Sequence, residues 1–170
     1  PENKFYPIGE LDVQEWHKLQ EYRNTVLHNK EKDFVVFWNN RNIRRKLPSD
    51  VIMAYKTFCD MLPKEESDKC VLVMHTQPID QNGTNLPEVV KNVCPGYDVI
   101  FSHNKLEDEQ LNFLYNIADV QINMASNEGF GLGTAEALMA GTPIVVNVTG
   151  GLQDQVGFKL KGKHVTHEDY

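Results

Sequence analysis

The apolar residues of this sequence fall into short unbroken runs that alternate with segments of helical spacing. Unbroken runs are typical of strands in a parallel sheet, because such strands are buried on both faces. The sequence predicts five strands of this kind, at residues 34–38, 70–75, 98–101, 119–123 and 144–148.

Around these runs, apolar residues recur three and four positions apart, as they do on the buried face of an amphipathic helix. The predicted helices span residues 13–27, 49–61, 86–92, 106–117 and 132–140. Ser49 or Asp50 is the expected N-cap of the second helix, because either side chain accepts hydrogen bonds from helix amides.

Strands and helices alternate with short connections, and parallel strands require crossover helices between them. We therefore predict an α/β fold, a Rossmann-like parallel sheet of about five or six strands with helices on both faces. Residues 33–170 are expected to form this domain, and residues 1–32 a linker with an added helix. The apolar residues on the buried face of that helix are Trp16, Leu19, Tyr22 and Val26.

The chain has a net charge of −7, from 17 basic and 24 acidic residues. This balance argues against nucleic acid as the main partner, because phosphate backbones are bound by clustered Lys and Arg. One local cluster of basic residues is an exception and comprises Arg41, Arg44, Arg45 and Lys46. It is compatible with a small anion site and also with a solvated basic loop.

The apolar runs are far shorter than a membrane span, and the chain does not open with the pattern of a signal peptide. The three cysteines are widely spaced and do not match a zinc-binding pattern. We interpret them as reduced, mostly buried thiols and expect a cytoplasmic location.

A glycine-rich segment follows the fourth predicted strand and leads into the last predicted helix. Gly129, Gly131 and Gly133 stand at alternate positions, where glycine lets a ligand approach the backbone and permits positive φ. The unpaired amides at the start of the helix form an anion site with the helix dipole. A dinucleotide-binding fingerprint does not fit this segment, because Glu136 occupies the third small position of that pattern.

Two carboxylates flank the glycines, with seven residues between them. Glu136 lies among small helix residues, so we expect it to be largely buried and to need donors such as the hydroxyls of a ribose. Glu128 is expected at the apex of the loop, within reach of other hydroxyls. On spacing alone, the two acids are equally well explained as a loop carboxylate and a first-turn residue favoured by the helix dipole.

The most distinctive stretch reads Glu128-Gly-Phe-Gly-Leu-Gly-Thr-Ala-Glu136 and continues as Ala137-Leu-Met-Ala-Gly-Thr-Pro-Ile-Val-Val146. Together these residues resemble the signature of retaining glycosyltransferases with the GT-B fold. Further segments similar to that family are residues 3–7, 40–46, 115–120 and 150–151. The resemblance covers residues 3–156 and departs from the family pattern at Asn40, where the family has Gly before Arg41.

By position, the resemblance implies that Arg41 and Lys46 bind the diphosphate of a UDP- or GDP-sugar donor. It implies that Glu136 binds the ribose hydroxyls and that Glu128 contacts the sugar to be transferred. The amides expected to line the sugar and the diphosphate belong to Gly129, Phe130, Gly131 and Leu132. Arg41, Lys46 and Glu128 are the expected catalytic residues, and neither a metal nor another cofactor is implied.

The reaction implied by the resemblance moves a hexose to an acceptor with retention at the anomeric carbon. No motif identifies the acceptor, which is a saccharide, a lipid or a protein. Family enzymes bind the acceptor with an N-terminal domain that these residues do not include, so we expect this chain alone to catalyse little. Two alternatives stay open: a nucleotide-sugar epimerase of the same fold, and a non-enzymatic interaction domain that retains the motif.

Overall fold

The predicted strands form one five-stranded parallel sheet in the computed structural model, which describes residues 4–169. Their bounds are β1 Phe34–Asn39, β2 Cys70–His75, β3 Val99–Ser102, β4 Val120–Asn123 and β5 Ile144–Val146. The strand order is β3-β2-β1-β4-β5, which confirms the predicted α/β, Rossmann-like architecture. Residues 1–3, with Asn3 of the first similar segment, and residue 170 lie outside the described residues.

Seven helices accompany the sheet within the described residues, and five of them match the predicted ones. They are α1 Val13–Val26, α2 Pro48–Asp60, α3 Lys64–Ser67, α4 Leu86–Val93, α5 Asp108–Ile117, α6 Leu132–Met139 and α7 Leu152–Val156. The sequence did not predict α3 or α7, and it did not predict the small hairpin of β6 (Lys159–Leu160) and β7 (Lys163–His164). Elements of two to five residues are too short to show a helical or strand period.

The predicted N-cap of α2 was wrong. Helix α2 begins at Pro48, and its N-cap is Leu47, which adopts left-handed φ and ψ angles of 50° and 48°. Proline is favoured at the first helical position because its missing N–H has no partner there in any case. Ser49 and Asp50 therefore fall inside the first turn.

The side chains of each central strand alternate between two apolar layers. Val35 and Phe37 of β1 pack in a cluster with residues of α1, α5 and α6. Val36 and Trp38 pack in a second cluster with residues of α2 and α4. Helices thus cover both faces of the sheet, as the unbroken apolar runs predicted.

Helix α1 shares the core of the sheet domain. Its Leu19 is buried, and Trp16, Tyr22 and Val26 are partly buried against the same cluster. The rings of Tyr22 and Phe113 of α5 lie with their centroids 5.5 Å apart. The predicted face of α1 is therefore the packed face, whereas the domain boundary after residue 32 stays a prediction.

The order of the strands determines where a ligand can bind. Strand β1 pairs with β2 on one side and with β4 on the other. The loops that follow β1 and β4 lead to helices on opposite faces, which leaves a crevice at the carboxyl ends of these strands. Among the described residues, no helix has the length and apolar character needed to cross a membrane.

We expect Asp119→Ala to lower the free energy of unfolding by about 1–3 kcal/mol. The Asp119 carboxylate accepts a 2.7 Å hydrogen bond from the backbone N–H of Val35, a residue that is buried at the start of β1. Alanine leaves that N–H without an acceptor, whereas Asp119→Asn retains an oxygen and serves as the control. Urea unfolding measures both variants, and equal losses for alanine and asparagine would contradict the assigned role.

Candidate functional site

The loops after β1 and β4 line an open, solvent-facing cavity of about 470 Å³ at the switch point of the sheet. Its lining includes every residue that the sequence assigned to the donor except Arg41. The lining residues are Asn39, Asn40, Arg45, Lys46, Leu111, Glu128, Gly129, Phe130, Gly131, Leu132, Gly133 and Glu136. The structure therefore brings the glycine-rich segment, both carboxylates and the basic loop to one place.

Lys46 and Glu128 form a buried ion pair that joins the two loops. Their exposed fractions are 8% and 6%, and the Lys46 ammonium donates to Oε1 of Glu128. The Asn123 side chain donates to the same oxygen at 3.0 Å. A buried charge is tolerated only when it is paired and hydrogen-bonded, and these contacts meet that need. Glu128 consequently lies in the wall of the cavity rather than at an open loop apex.

Glu136 is half-buried, not largely buried as predicted, because the start of α6 stands at the mouth of the cavity. Its Oε2 accepts a 2.7 Å hydrogen bond from the Tyr115 hydroxyl, which in turn accepts a 2.8 Å bond from the Asn39 side chain. Burial raises the pKa of Glu136 above its usual value, and the hydrogen bond from Tyr115 acts in the opposite direction.

The N-terminus of α6 opens towards the cavity. Gly131 is the N-cap, with a left-handed φ of 84°, and it has no side chain that could occupy the helix amides. The first backbone N–H groups of α6 have no carbonyl partner within the helix, so they are available to bind an anion. Of the three glycines expected to permit positive φ, only Gly131 adopts it.

Gly150 and Gly151 support the glycine-rich loop from behind. The amide of Gly151 donates to the carbonyl oxygens of Glu128 and Gly129, each at 3.1 Å. A Cβ atom at Gly150 would lie 1.8 Å from the backbone carbonyl oxygen of Glu128, and one at Gly151 would lie 2.2 Å from that of Gly129. Only glycine allows the two backbones to approach this closely.

Arg41 lies outside the cavity in this structure. Its guanidinium donates to Asp80 at 3.0 and 3.4 Å, in the loop after β2, and its side chain is 62% exposed. This pairing lowers the pKa of the Asp80 carboxyl. The neighbouring Asn42 is buried and donates to three carbonyl oxygens of the 77–84 segment. The diphosphate contact assigned to Arg41 therefore stays a prediction.

Arg45 is the arginine that lines the cavity, and the sequence did not assign it a role. It stands beside Lys46 in the single 3₁₀ turn of the β1 loop. Its Nη1 donates to the Asn127 carbonyl at 2.8 Å and lies 3.8 Å from Oε2 of Glu128. The position of Arg45 directly before Lys46 in the sequence could have indicated its role, because one tight turn places both residues near the β4 loop.

Comparison with known proteins assigns the family. The family described as "Glycosyl transferases group 1" matches residues 19–169. The chain belongs to the group 1 glycosyltransferases. This glycosyltransferase chain is also 35% identical over 82 residues to D-inositol 3-phosphate glycosyltransferase of Xylanimonas cellulosilytica. That match covers 48% of this chain and 20% of the relative, so the chain spans less than half of the relative's length.

Solved structures of low identity show the fold of this glycosyltransferase chain. The C-terminal domain of a group 1 glycosyltransferase, LpcC of Francisella tularensis, has a TM-score of 0.66 at 19% identity. That match covers 95% of this chain and 77% of the other. HepE of Anabaena, in complex with UDP-glucose, has a TM-score of 0.66 at 16% identity, covering 88% of this chain and 39% of HepE. The chain thus forms a Rossmann-like half of a GT-B fold.

We expect Gly151→Ala to lower the free energy of unfolding of this glycosyltransferase by about 1–3 kcal/mol. The added Cβ would meet the Gly129 carbonyl oxygen at 2.2 Å, so the two loops must separate. Gly129→Ala is the matched control, because no heavy atom lies within 4 Å of its Cβ position. Chemical denaturation compares the two, and an equal cost at both positions would refute the close-approach explanation.

Glu128→Gln should destabilise the chain by about 3–5 kcal/mol, because it leaves the Lys46 ammonium buried without a counter-charge. The double variant Glu128→Gln with Lys46→Met also removes the unpaired ammonium and should recover part of the lost stability. A double-mutant cycle by urea unfolding measures the coupling between the two residues. A double variant as unstable as the sum of the single variants would show that the pair is not coupled.

Proposed function

We propose that this chain binds a nucleoside-diphosphate hexose in the cavity between the β1 and β4 loops. In the whole protein, the hexose then passes to an acceptor with retention at the anomeric carbon. One observation carries the proposal. A single cavity holds an open helix N-terminus, two cationic side chains and two carboxylates, Glu128 and Glu136.

The diphosphate is proposed to lie at the N-terminus of α6, against the amides of Gly131 and Leu132. Helix amides and the helix dipole favour anions at this position. Arg45 adds positive charge from the opposite loop, where Lys46 also lines the cavity but has its charge paired with Glu128, and an arginine can bind phosphate oxygens with two parallel hydrogen bonds. These groups stabilise charge on the leaving diphosphate electrostatically, so we propose a transfer that needs neither a metal ion nor another cofactor.

The ribose is proposed to bind Glu136. Its Oε2 is engaged by Tyr115, whereas no described residue donates a hydrogen bond to its Oε1. A half-buried carboxylate oxygen is stabilised by accepting a hydrogen bond, and the ribose hydroxyls can donate one.

The hexose is proposed to lie over the glycine-rich loop, beside Glu128. The position that a Cβ would take at Gly129 is open, with no heavy atom within 4 Å, which leaves room for a sugar ring. The amides of Gly129 and Phe130 face the sugar in this arrangement. Glu128 contacts the hydroxyls of the sugar from the wall of the cavity, where Lys46 and Asn123 fix its carboxylate.

UDP is the first donor to test, because HepE, a similar fold, is bound to UDP-glucose in its solved structure. GDP is the comparison, since loop shape rather than a motif decides the base. The acceptor site is proposed to belong to the rest of the protein, because the match with the curated relative covers only 20% of that relative.

Titration of the chain with UDP, GDP and uridine, followed by NMR, tests the proposed function. We expect saturable binding of a nucleoside diphosphate, with Arg45→Ala weakening that binding roughly tenfold through loss of a charge-assisted hydrogen bond. Uridine has no phosphate, so its affinity should not change in Arg45→Ala. Arg41→Ala, which removes the arginine outside the cavity, is the matched variant.

One possible result decides which arginine contacts the diphosphate, and another decides whether the chain binds a nucleotide at all. A larger loss in Arg41→Ala than in Arg45→Ala would assign the diphosphate contact to Arg41, as the family resemblance implies. The absence of spectral changes with any nucleotide up to about millimolar concentration would contradict the proposed function, since even weak donor sites bind in that range.

A further inference from the structure

Tyr115 is a buried residue of α5 that does not line the donor cavity, but its hydroxyl donates a hydrogen bond to Glu136, which does. Its exposed fraction is 0%, and its ring makes edge-on contacts with two phenylalanines. The ring centroids are 5.7 Å from that of Phe5 and 5.2 Å from that of Phe37, with interplanar angles of 82° and 79°. Such packing leaves the ring a single orientation, so the position of the hydroxyl is set by the core.

The direction of the Tyr115 hydroxyl is set as well. A hydroxyl carries one hydrogen, and Asn39 occupies its acceptor side by donating a 2.8 Å hydrogen bond. The single hydrogen is therefore free to point at Oε2 of Glu136, 2.7 Å away. The backbone carbonyl of Tyr115 also accepts a 2.7 Å bond from Thr142, just beyond α6.

This hydrogen-bonded chain ties three elements together at one carboxylate. Asn39 ends β1, Tyr115 lies in α5, and Glu136 lies in α6. A Cβ at Gly133 would lie 3.2 Å from the Asn39 carbonyl oxygen and 3.4 Å from the Tyr115 hydroxyl oxygen. The absence of a side chain at Gly133 therefore lets α6 pack closely against Asn39 and Tyr115.

We infer that Tyr115 is a positioning residue, which holds Glu136 so that its second oxygen faces the ribose hydroxyls of the donor. The inference rests on the proposed function, because it requires that Glu136 bind a ribose. Tyr115 itself does not touch the donor. Its contribution to binding comes through the orientation and the ionisation of one carboxylate.

The charges around Glu136 decide how this contribution depends on pH. Burial raises the pKa of Glu136, and the negative charge of Asp108 on α5 raises it further. The other charged groups of the cavity are Arg45, together with the ion pair of Lys46 and Glu128. The hydrogen bond from Tyr115 lowers the pKa of Glu136 and so favours the ionised form at neutral pH.

The sign of the expected change follows from these directions. The ionised carboxylate accepts hydrogen bonds from a ribose better than the protonated one, so affinity falls as the pH drops through the pKa of Glu136. Removing the Tyr115 hydroxyl raises that pKa. The loss of affinity should then begin at a higher pH.

The experiment compares Tyr115→Phe with the wild-type chain, using UDP and 2′,3′-dideoxy-UDP as probes from about pH 5 to about pH 8. At neutral pH, we expect UDP to bind roughly tenfold more weakly to the variant, because the Glu136 carboxylate is no longer positioned to accept its hydrogen bond from the ribose. Dideoxy-UDP lacks the ribose hydroxyls, so its affinity should be the same for both proteins. The midpoint of the pH dependence for UDP should move upwards.

Tyr55→Phe is the matched control, because Tyr55 is also buried but lies in the cluster on the opposite face of the sheet. It should leave both probes and the pH midpoint unchanged. Unchanged UDP affinity and pH midpoint in Tyr115→Phe would overturn the inference. An equal loss for UDP and dideoxy-UDP would also overturn it, because that result indicates a general structural defect.

Two further results are informative. If Tyr115→Phe does not fold, replacement of Tyr115 by 3-fluorotyrosine keeps the ring and makes the hydroxyl a stronger hydrogen-bond donor. The pH midpoint should then move downwards, and an unmoved midpoint would overturn the inference. If the wild-type chain binds GDP in place of UDP, GDP and its dideoxy analogue become the probes. Failure of the wild type to bind either nucleotide overturns the proposed function and, with it, this inference.

Discussion

The parallel pairing of β1 with both β2 and β4 is the constraint on which the rest of this structure depends. Both faces of β1 are buried, with Phe37 and Trp38 almost fully inaccessible on opposite sides. A shift of one residue would exchange the two apolar layers, so the register is strongly specified. The carboxyl end of β1 is therefore held beside that of β4, and the loops after them line the open cavity.

The cavity combines a hydrogen-bonded wall with an open helix N-terminus. The buried pair of Lys46 and Glu128 joins the two loops, and Gly151 donates hydrogen bonds to the carbonyls behind them. Gly131 begins α6 without a capping side chain, so the helix amides stay available. A site ordered in this way before a ligand arrives loses less conformational entropy on binding.

The pattern of apolar residues was a good guide to the regular elements of the sheet. Strand β2 has the predicted bounds, because an unbroken apolar run between polar residues marks where a doubly buried strand begins and ends. Helices α3 and α7 were missed, because four or five residues do not complete enough turns to show a period. The cap of α2 was misplaced because Pro48 occupies the first helical position, which moves the cap to Leu47.

The sequence by itself determined the fold class, the family and the gathering of Lys46, Glu128, Glu136 and the glycines at one end of the sheet. These follow from local patterns and from the rule that parallel strands present their carboxyl ends together. Only the tertiary structure decided that Arg45 lines the cavity, that Arg41 pairs with Asp80, and that Tyr115 donates a hydrogen bond to Glu136. Such choices depend on side-chain directions and on contacts between residues distant in sequence, which no local pattern records.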